Sequence, residues 1–265
     1  MSDITKFIAL VRSHIGEPRV IFEFGARDCE ETIFISRICP GAKIYSFECN
    51  RATLPECRNK VGGNSMITLV ESAVGDRDGR CVFHPIDQEK TVTTWADGNP
   101  GASSLFMASG KYEVESYVQR SEEVSIMRPD TFMAEHGIPK VDAVWMDIQG
   151  AELMALRGFG ERINDVELLS LEAEFVEIYD NQPLFWEIHD FLKVRGFFLT
   201  KFLTLGRYSC DAVFIRVTDP GYRTKLRCFV LLWLARSAVG IYFPLRRAAG
   251  NFLRKLGLRR QPANL

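Results

Sequence analysis

Short apolar runs alternate with helically spaced segments along most of this 265-residue chain, and that alternation leaves few folds open. Asp3 to Ile15 places Ile4, Phe7, Ile8, Val11 and Ile15 on one helix face. Val20-Ile21-Phe22-Glu23-Phe24 reads as a buried strand, and Glu30 to Ile38 as a helix ended by Pro40-Gly41. Lys43 to Phe47 is a second strand, Ala52 to Val61 a helix stopped by Gly62-Gly63, and Met66 to Val70 a third strand. After an irregular stretch from Pro85 to Glu122 the pattern resumes. It gives a strand at Val124 to Met127, a helix at Pro129 to His136, and strands at Val141 to Ile148 and Val166 to Leu171. A helix at Pro183 to Val194 and a hairpin, Phe197 to Leu203 with Tyr208 to Val217, close the pattern. Repeated βαβ units of this kind predict an α/β fold with a mostly parallel sheet and helices on both faces.

In such a sheet the chemistry lies at the carboxyl ends of the strands. Val144-Trp145-Met146-Asp147 is an apolar run that stops at a carboxylate; Gly150 and a helical run from Glu152 follow. Glu23 ends the first strand before Gly25-Ala26-Arg27-Asp28-Cys29, where Gly25 allows a tight turn and close ligand approach. Glu48 ends the second strand, suited to accept the hydroxyls of a ribose. Ser72 and Ala73, small residues after the third, leave room for a flat base. A loop with one glycine lacks the GxGxxG fingerprint, which counts against NAD, and Gly-Lys-Ser/Thr is absent, which excludes a P-loop.

Taken together, these loops resemble the cofactor edge of class I S-adenosylmethionine-dependent methyltransferases. Asp147-Ile148-Gln149-Gly150-Ala151-Glu152 resembles the FkbM-type family, whose characteristic segment is Lys-Ile-Asp-Val-Glu-Gly-Ala-Glu. Asp147, Gly150, Ala151 and Glu152 match it, and Leu156-Arg157-Gly158 also fits. The family's first loop, Asp-x-Gly-Ala-Asn-x-Gly, is matched at Glu23, Gly25 and Ala26, with Arg27 in place of asparagine and Cys29 in place of the second glycine. Trp145 and Gln149 stand where the family has lysine and glutamate. The resemblance runs from about Val20 to Leu203. It implies a Rossmann-like seven-stranded sheet with the last two strands antiparallel, and O-methylation of a sugar, glycan or small-molecule hydroxyl. It also implies that Glu23, Gly25 and Ala26 hold the methionine end of S-adenosylmethionine, Glu48 the ribose, and Ser72 and Ala73 the adenine, with Asp147 near the methyl.

Methyl transfer to an alcohol needs an aligned nucleophile and a proton acceptor. Asp147 is the first candidate, Glu172 and Glu174 at the next strand end the second, and His84, beside the irregular stretch, the third. His136 at a helix end and His189 within a helix read as structural. A divalent cation such as Mg²⁺ among the carboxylates is an option the sequence does not require. The irregular stretch, with Ser103 and Ser104, reads as a lid over the acceptor. A catalytically silent module that scaffolds a glycan-assembly complex is the competing expectation.

The net charge of −1 hides a split. From Asp219 to Leu265 there are ten Lys or Arg and one acid, leaving 23 basic and 33 acidic residues before it. The chain thus divides into a catalytic domain, 1–218, and a basic extension, 219–265. Cys228 to Ala235 is apolar, Arg236 interrupts it, and Arg246-Arg247 and Arg254-Lys255 alternate with Phe252, Leu253 and Leu256. This favours an interfacial helix on anionic headgroups over docking on the acidic body or a second subunit, and over a span. Bulky apolar residues among the basic ones argue against nucleic acid. Seven cysteines, an odd number without CxxC spacing, count against a disulfide framework or zinc site and favour a reducing cytosol. The N-terminus carries no signal-peptide pattern.

Overall fold

The computed structural model describes residues 3–242. Its elements are α1 (Asp3–Ile15), β1 (Val20–Phe24), α2 (Glu30–Ile38), β2 (Lys43–Phe47), α3 (Leu54–Val61), β3 (Ile67–Val70), β4 (Ala73–Val74) and β5 (Gly79–Phe83). Then come β6 (Glu122–Met127), α4 (Pro129–Glu135), β7 (Val141–Met146), α5 (Glu152–Gly158), β8 (Val166–Glu174), α6 (Phe185–Lys193), β9 (Phe197–Leu205), β10 (Ser209–Arg216) and α7 (Tyr222–Ser237).

Seven strands form one sheet in the order β3-β2-β1-β7-β8-β10-β9. β1 pairs in parallel with both β2 and β7, and β7 with β8. The hairpin strands pair antiparallel, and β10 is the single reversed strand, inserted between β8 and β9. The chain winds outward from β1 to β3, then returns to β7 on the other side of β1. That reversal opens a crevice above the carboxyl ends of β1 and β7, where open α/β sheets bind ligands.

Each sheet face has its own core. Phe22, Phe24, Phe47 and Val144 meet α4 and α5 through Phe132, Leu153 and Leu156 on one side. Ile21, Ile44, Ala143 and Trp145 meet α1 and α2 through Phe7, Ile8 and Ile35 on the other. The alternation along β1 follows from the two-residue repeat of a strand.

Two features lie beyond the sequence expectation. β4, β5 and β6 form a second, three-stranded sheet. The described part of the basic extension packs on the body. α7 continues through Arg236, whose guanidinium lies 4.9 Å over the Trp186 ring. Its Cys228 and Ala235 are buried, with Leu231 and Leu232 against the main core. The Arg246–Leu256 pattern lies outside the described residues. Among those described, no helix is long and apolar enough to cross a membrane.

Candidate functional site

The crevice is a cavity of about 320 Å³, within the range of small-molecule sites. Gly25, Glu48, Ser72, Ala73, Asp147 and Glu172 all line it. They come from the ends of five strands, β1, β2, β3, β7 and β8, and the parallel register brings them together.

The β1–β7 junction is built on close backbone approach. Asp147 N–H donates to the Phe24 carbonyl at 2.9 Å. Gly25 has φ of +85°, and a Cβ there would lie 1.9 Å from the Asp147 carbonyl oxygen. The Gly25 and Ala26 N–H groups both donate to the Phe47 carbonyl at 3.0 Å, and Arg27 N–H donates to Glu48 at 2.7 Å. The donors of this loop are therefore satisfied within the protein instead of being offered to a ligand.

Glu48 is buried, and its carboxyl is pushed up to about 7 by that burial, against three backbone N–H bonds. Cys49 and Asn50 donate to Oε1 and Arg27 to Oε2. A carboxylate has about four acceptor sites, so Oε2 keeps one for a ligand hydroxyl where the sequence suggests two. Replacing Glu48 by alanine is expected to weaken S-adenosylmethionine binding about tenfold, the loss of one charge-assisted hydrogen bond. Calorimetry would check this.

Three positions expected at the site are not on the cavity wall. Glu23 is fully buried between Thr32 and Ser46, both of which donate to its Oε2; the Ser46 bond is 2.6 Å. It sits on the α2 face of β1, opposite Phe22 and Phe24, and burial raises its carboxyl to about 7. Ala26 is buried against Cys29 and Cys57 beneath the loop. His84 turns away, its Nδ1 3.1 Å from Ser121 Oγ. His136 contacts the Phe132 carbonyl at the end of α4, and His189 is buried beside Asp190.

An amide links the acid pair at the cavity floor. Gln149 Nε2 donates to Asp147 Oδ1 at 2.7 Å and to Glu172 Oε2 at 2.8 Å, while its Oε1 accepts from Tyr179 Oη at 2.9 Å. Gln149 stands at φ of +53°, a left-handed conformation that the Ser104 hydroxyl supports by donating to its carbonyl at 2.6 Å. Surrounding protein raises the Asp147 carboxyl, while Gln149, Glu172 and Arg27 oppose the rise. Asp147 also opens onto the cavity, so water moderates this shift. Burial and the Asp147 charge push Glu172 well up.

Behind them, Glu174 receives Gln182 Nε2 at 2.8 Å, and Glu152 receives the Ile148 N–H at 3.0 Å. Burial raises Glu152 to about 8. Arg27 is the one Lys or Arg on the wall among the described residues, so like charges are relieved mainly by holding protons. Among those residues, no group of three or more His, Cys, Asp or Glu could hold a metal ion.

These raised carboxyls make stability fall as pH rises. Glu23, Glu48 and Glu152 are neutral in the folded protein below the unfolded value near 4.5, and lose protons near 7 to 8. The folded state therefore binds more protons across that interval, and stability present at low pH is lost as pH climbs through the folded values. The melting temperature of the ligand-free protein is expected to drop between about pH 4.5 and about pH 8. Glu152→Gln is expected to flatten this dependence by on the order of 3 kcal/mol, read by denaturant melts at both ends.

The irregular stretch closes the cavity. Tyr179 Oη donates to the Ala102 carbonyl at 2.8 Å, and Glu115 gathers Thr93, Asn99 and Tyr117. Arg27 ties this segment to the cofactor-side loop through Asp97 at 2.6 Å, with Trp95 5.9 Å from its guanidinium. Ser103 lines the cavity. Trp95, Tyr112, Glu115 and Tyr117 also line it; sequence reasoning missed them, although aromatic residues in a polar loop were the available signal.

Of the departures from the family segments, Arg27 and Cys29 bear on backbone conformation and Trp145 on packing. Arg27 and Cys29 occupy φ of +50° and +61°, where asparagine and glycine are the less strained residues. Trp145 faces α1 and α2, donating to Glu31 at 3.0 Å and meeting the Phe7 ring at 5.6 Å.

The family model "Methyltransferase FkbM domain" matches residues 23–199. The chain is 26% identical over 165 residues to the 2-O-methyltransferase NoeI of Sinorhizobium fredii, a match covering 62% of this chain and 66% of that one, just under two thirds of its length. Two solved structures show lower similarity. The precorrin-6y C5,15-methyltransferase of Geobacter metallireducens has a TM-score of 0.45 at 12% identity, over 80% of this chain and 88% of its own. TrmK of M. capricolum, in complex with S-adenosylhomocysteine, has 0.45 at 9% identity, over 84% and 73%. The strand order, not these overlays, carries the fold assignment.

Proposed function

We propose, from the premise that this chain belongs to the FkbM methyltransferase family, that it methylates a hydroxyl oxygen of a sugar or glycan. The observation that carries this reading is the Asp147–Gln149–Glu172 arrangement on the cavity floor. S-adenosylmethionine, when bound, supplies an electrophilic methyl group. The chain's residues must then bind it, hold the acceptor and take one proton.

The residues present fit that cofactor. Glu48 has acceptor capacity for a ribose hydroxyl, Ser72 and Ala73 leave room for a flat base, and Arg27 offers a cation to a carboxylate. Gly25 shapes the loop between them. Asp147 is the proton acceptor, because a carboxyl raised above its usual range is a better base toward an alcohol. Gln149 is a positioning residue. Its amide holds both carboxyls in one geometry and adds no third charge, where a glutamate would repel them. This reading needs no divalent cation, since a hydrogen-bond donor already bridges the acids.

The acceptor class follows from the outer wall. Trp95, Tyr112 and Tyr117 give aromatic faces, and Asn99 and Glu115 give polar groups. A sugar has an apolar C–H face and a rim of hydroxyls, which suits this mixture. The 2-O-methyltransferase relative is consistent with it. All seven cysteines are free, in keeping with a reducing compartment such as the cytosol.

The test is incubation with S-adenosylmethionine and a panel of mono- and oligosaccharides, read by mass spectrometry. Gain of one methyl that survives mild alkali, as an ether does, supports the reading. Transfer only to amines or carboxylic acids overturns it.

A further inference from the structure

The second face of α7 lies away from the cavity, whose lining contains no α7 residue. Turning about 100° per residue, Cys228, Leu231, Leu232 and Ala235 fall on the side that meets the core. Tyr222, Leu226, Phe229, Val230 and Trp233 fall on the opposite side. Phe229 is 66% exposed and Trp233 59%. Folded soluble helices bury such a stripe, and a contiguous exposed one marks an interaction surface.

The charges around it identify the occupant. Arg223 and Arg227 flank the stripe on one edge, Lys225 and Arg236 on the other. From Pro220 to the end the sequence holds ten Lys or Arg and no Asp or Glu. An apolar stripe with Trp and Phe between two basic edges suits a helix lying in the headgroup region of an anionic bilayer. A second copy of the chain would place two faces of uniformly positive flank against each other, which like-charge repulsion opposes. The protein's own body is already met by the other side of the helix. Among the described residues no helix is long and apolar enough to cross a membrane.

We infer that α7 is a membrane-docking helix which lays its Leu226–Phe229–Trp233 stripe on an anionic lipid surface while its opposite side stays on the catalytic fold. The acceptor would then be met at a membrane face. This inference rests on the surface of α7 and not on the methyl-transfer site, so the two stand or fall separately.

The experiment is co-sedimentation of the full-length protein with vesicles of phosphatidylcholine alone and of phosphatidylcholine with phosphatidylglycerol. Binding is expected to the anionic vesicles, to weaken with salt, and to fall roughly tenfold or more in Phe229→Ser/Trp233→Ser. Arg223→Glu/Arg227→Glu is expected to lose the preference for anionic lipid. Both pairs are exposed, and unchanged melting curves would show the fold intact. No binding by the full-length chain overturns the inference, as does binding undiminished in Phe229→Ser/Trp233→Ser. A dimer in solution that Phe229→Ser/Trp233→Ser dissociates assigns the face to a second copy and overturns it too.

Discussion

Replacing Asp147 by asparagine is expected to reduce methyl transfer by about 10²–10⁴-fold, the usual contribution of a positioned general base. Asparagine keeps an acceptor oxygen for Gln149, so the 2.7 Å link and the cavity floor should persist. The backbone bond from residue 147 to the Phe24 carbonyl does not involve the side chain. Affinity for S-adenosylmethionine should therefore hold, and the loss should fall on kcat. Stability should not drop, because the change removes a carboxyl that already carried a cost for sitting among Glu152, Glu172 and Glu174. Steady-state kinetics with a responsive sugar, beside calorimetry and a melt, checks all three. Near-normal turnover would remove Asp147 from the chemistry.

Gly25→Ala is expected to be the most damaging single-methyl change in the cofactor loop. Two costs add there. The positive φ strains any L side chain, by on the order of 1 kcal/mol. The added Cβ would also sit 1.9 Å from the Asp147 carbonyl oxygen and 2.9 Å from its carbon, and both are backbone atoms that cannot rotate aside. Separating β1 from β7 at this point breaks the bond that sets Asp147. A loss of roughly 3–4 kcal/mol is expected, or a melting temperature lower by about 10 °C in a chain of this size. Detectable cofactor binding should vanish with it. Gly63→Ala is the control: it shares φ of +85° but has nothing within 4 Å of the added methyl. It should show the strain alone, and equal losses in the two variants would mean that the contact with Asp147 does not matter.

Much of this architecture can be read from residue pattern. β1, β2, β7 and β8 are largely apolar runs, and helices of amphipathic spacing separate them, so their parallel direction follows from βαβ handedness and burial. The second sheet could not be read in the same way: β4 has two residues, and β5, Gly79–Phe83, is short and half exposed; each pairs only with β6. For the site, position along a strand was informative and face was not. Glu48 and Asp147 lie at strand ends where the chain turns over the crevice. Glu23 lies one residue before the end of β1, and the two-residue repeat sends it to the α2 side. His84 was misplaced because a lid's start in sequence does not say which side of it faces the ligand. Its backbone pairs with Ser104, which does reach Gln149, while its ring meets Ser121. Gln149 could be read as a departure from the family segment, but its bridging role depends on a left-handed backbone that no pattern reveals. In α7 the core-facing side was hidden because apolar residues surround the helix, and only contact with Trp186 and the main core separates its two sides.

The most direct test is a crystal structure of the full chain with S-adenosylhomocysteine. The nucleoside is expected over Ser72 and Ala73, a ribose hydroxyl on Glu48, and the sulfur end toward Asp147 and Gln149. Binding instead in the acidic recess lined by Asp3, Glu31 and Asp211 on the other side of Asp147, or no binding with the cavity open, would contradict this placement.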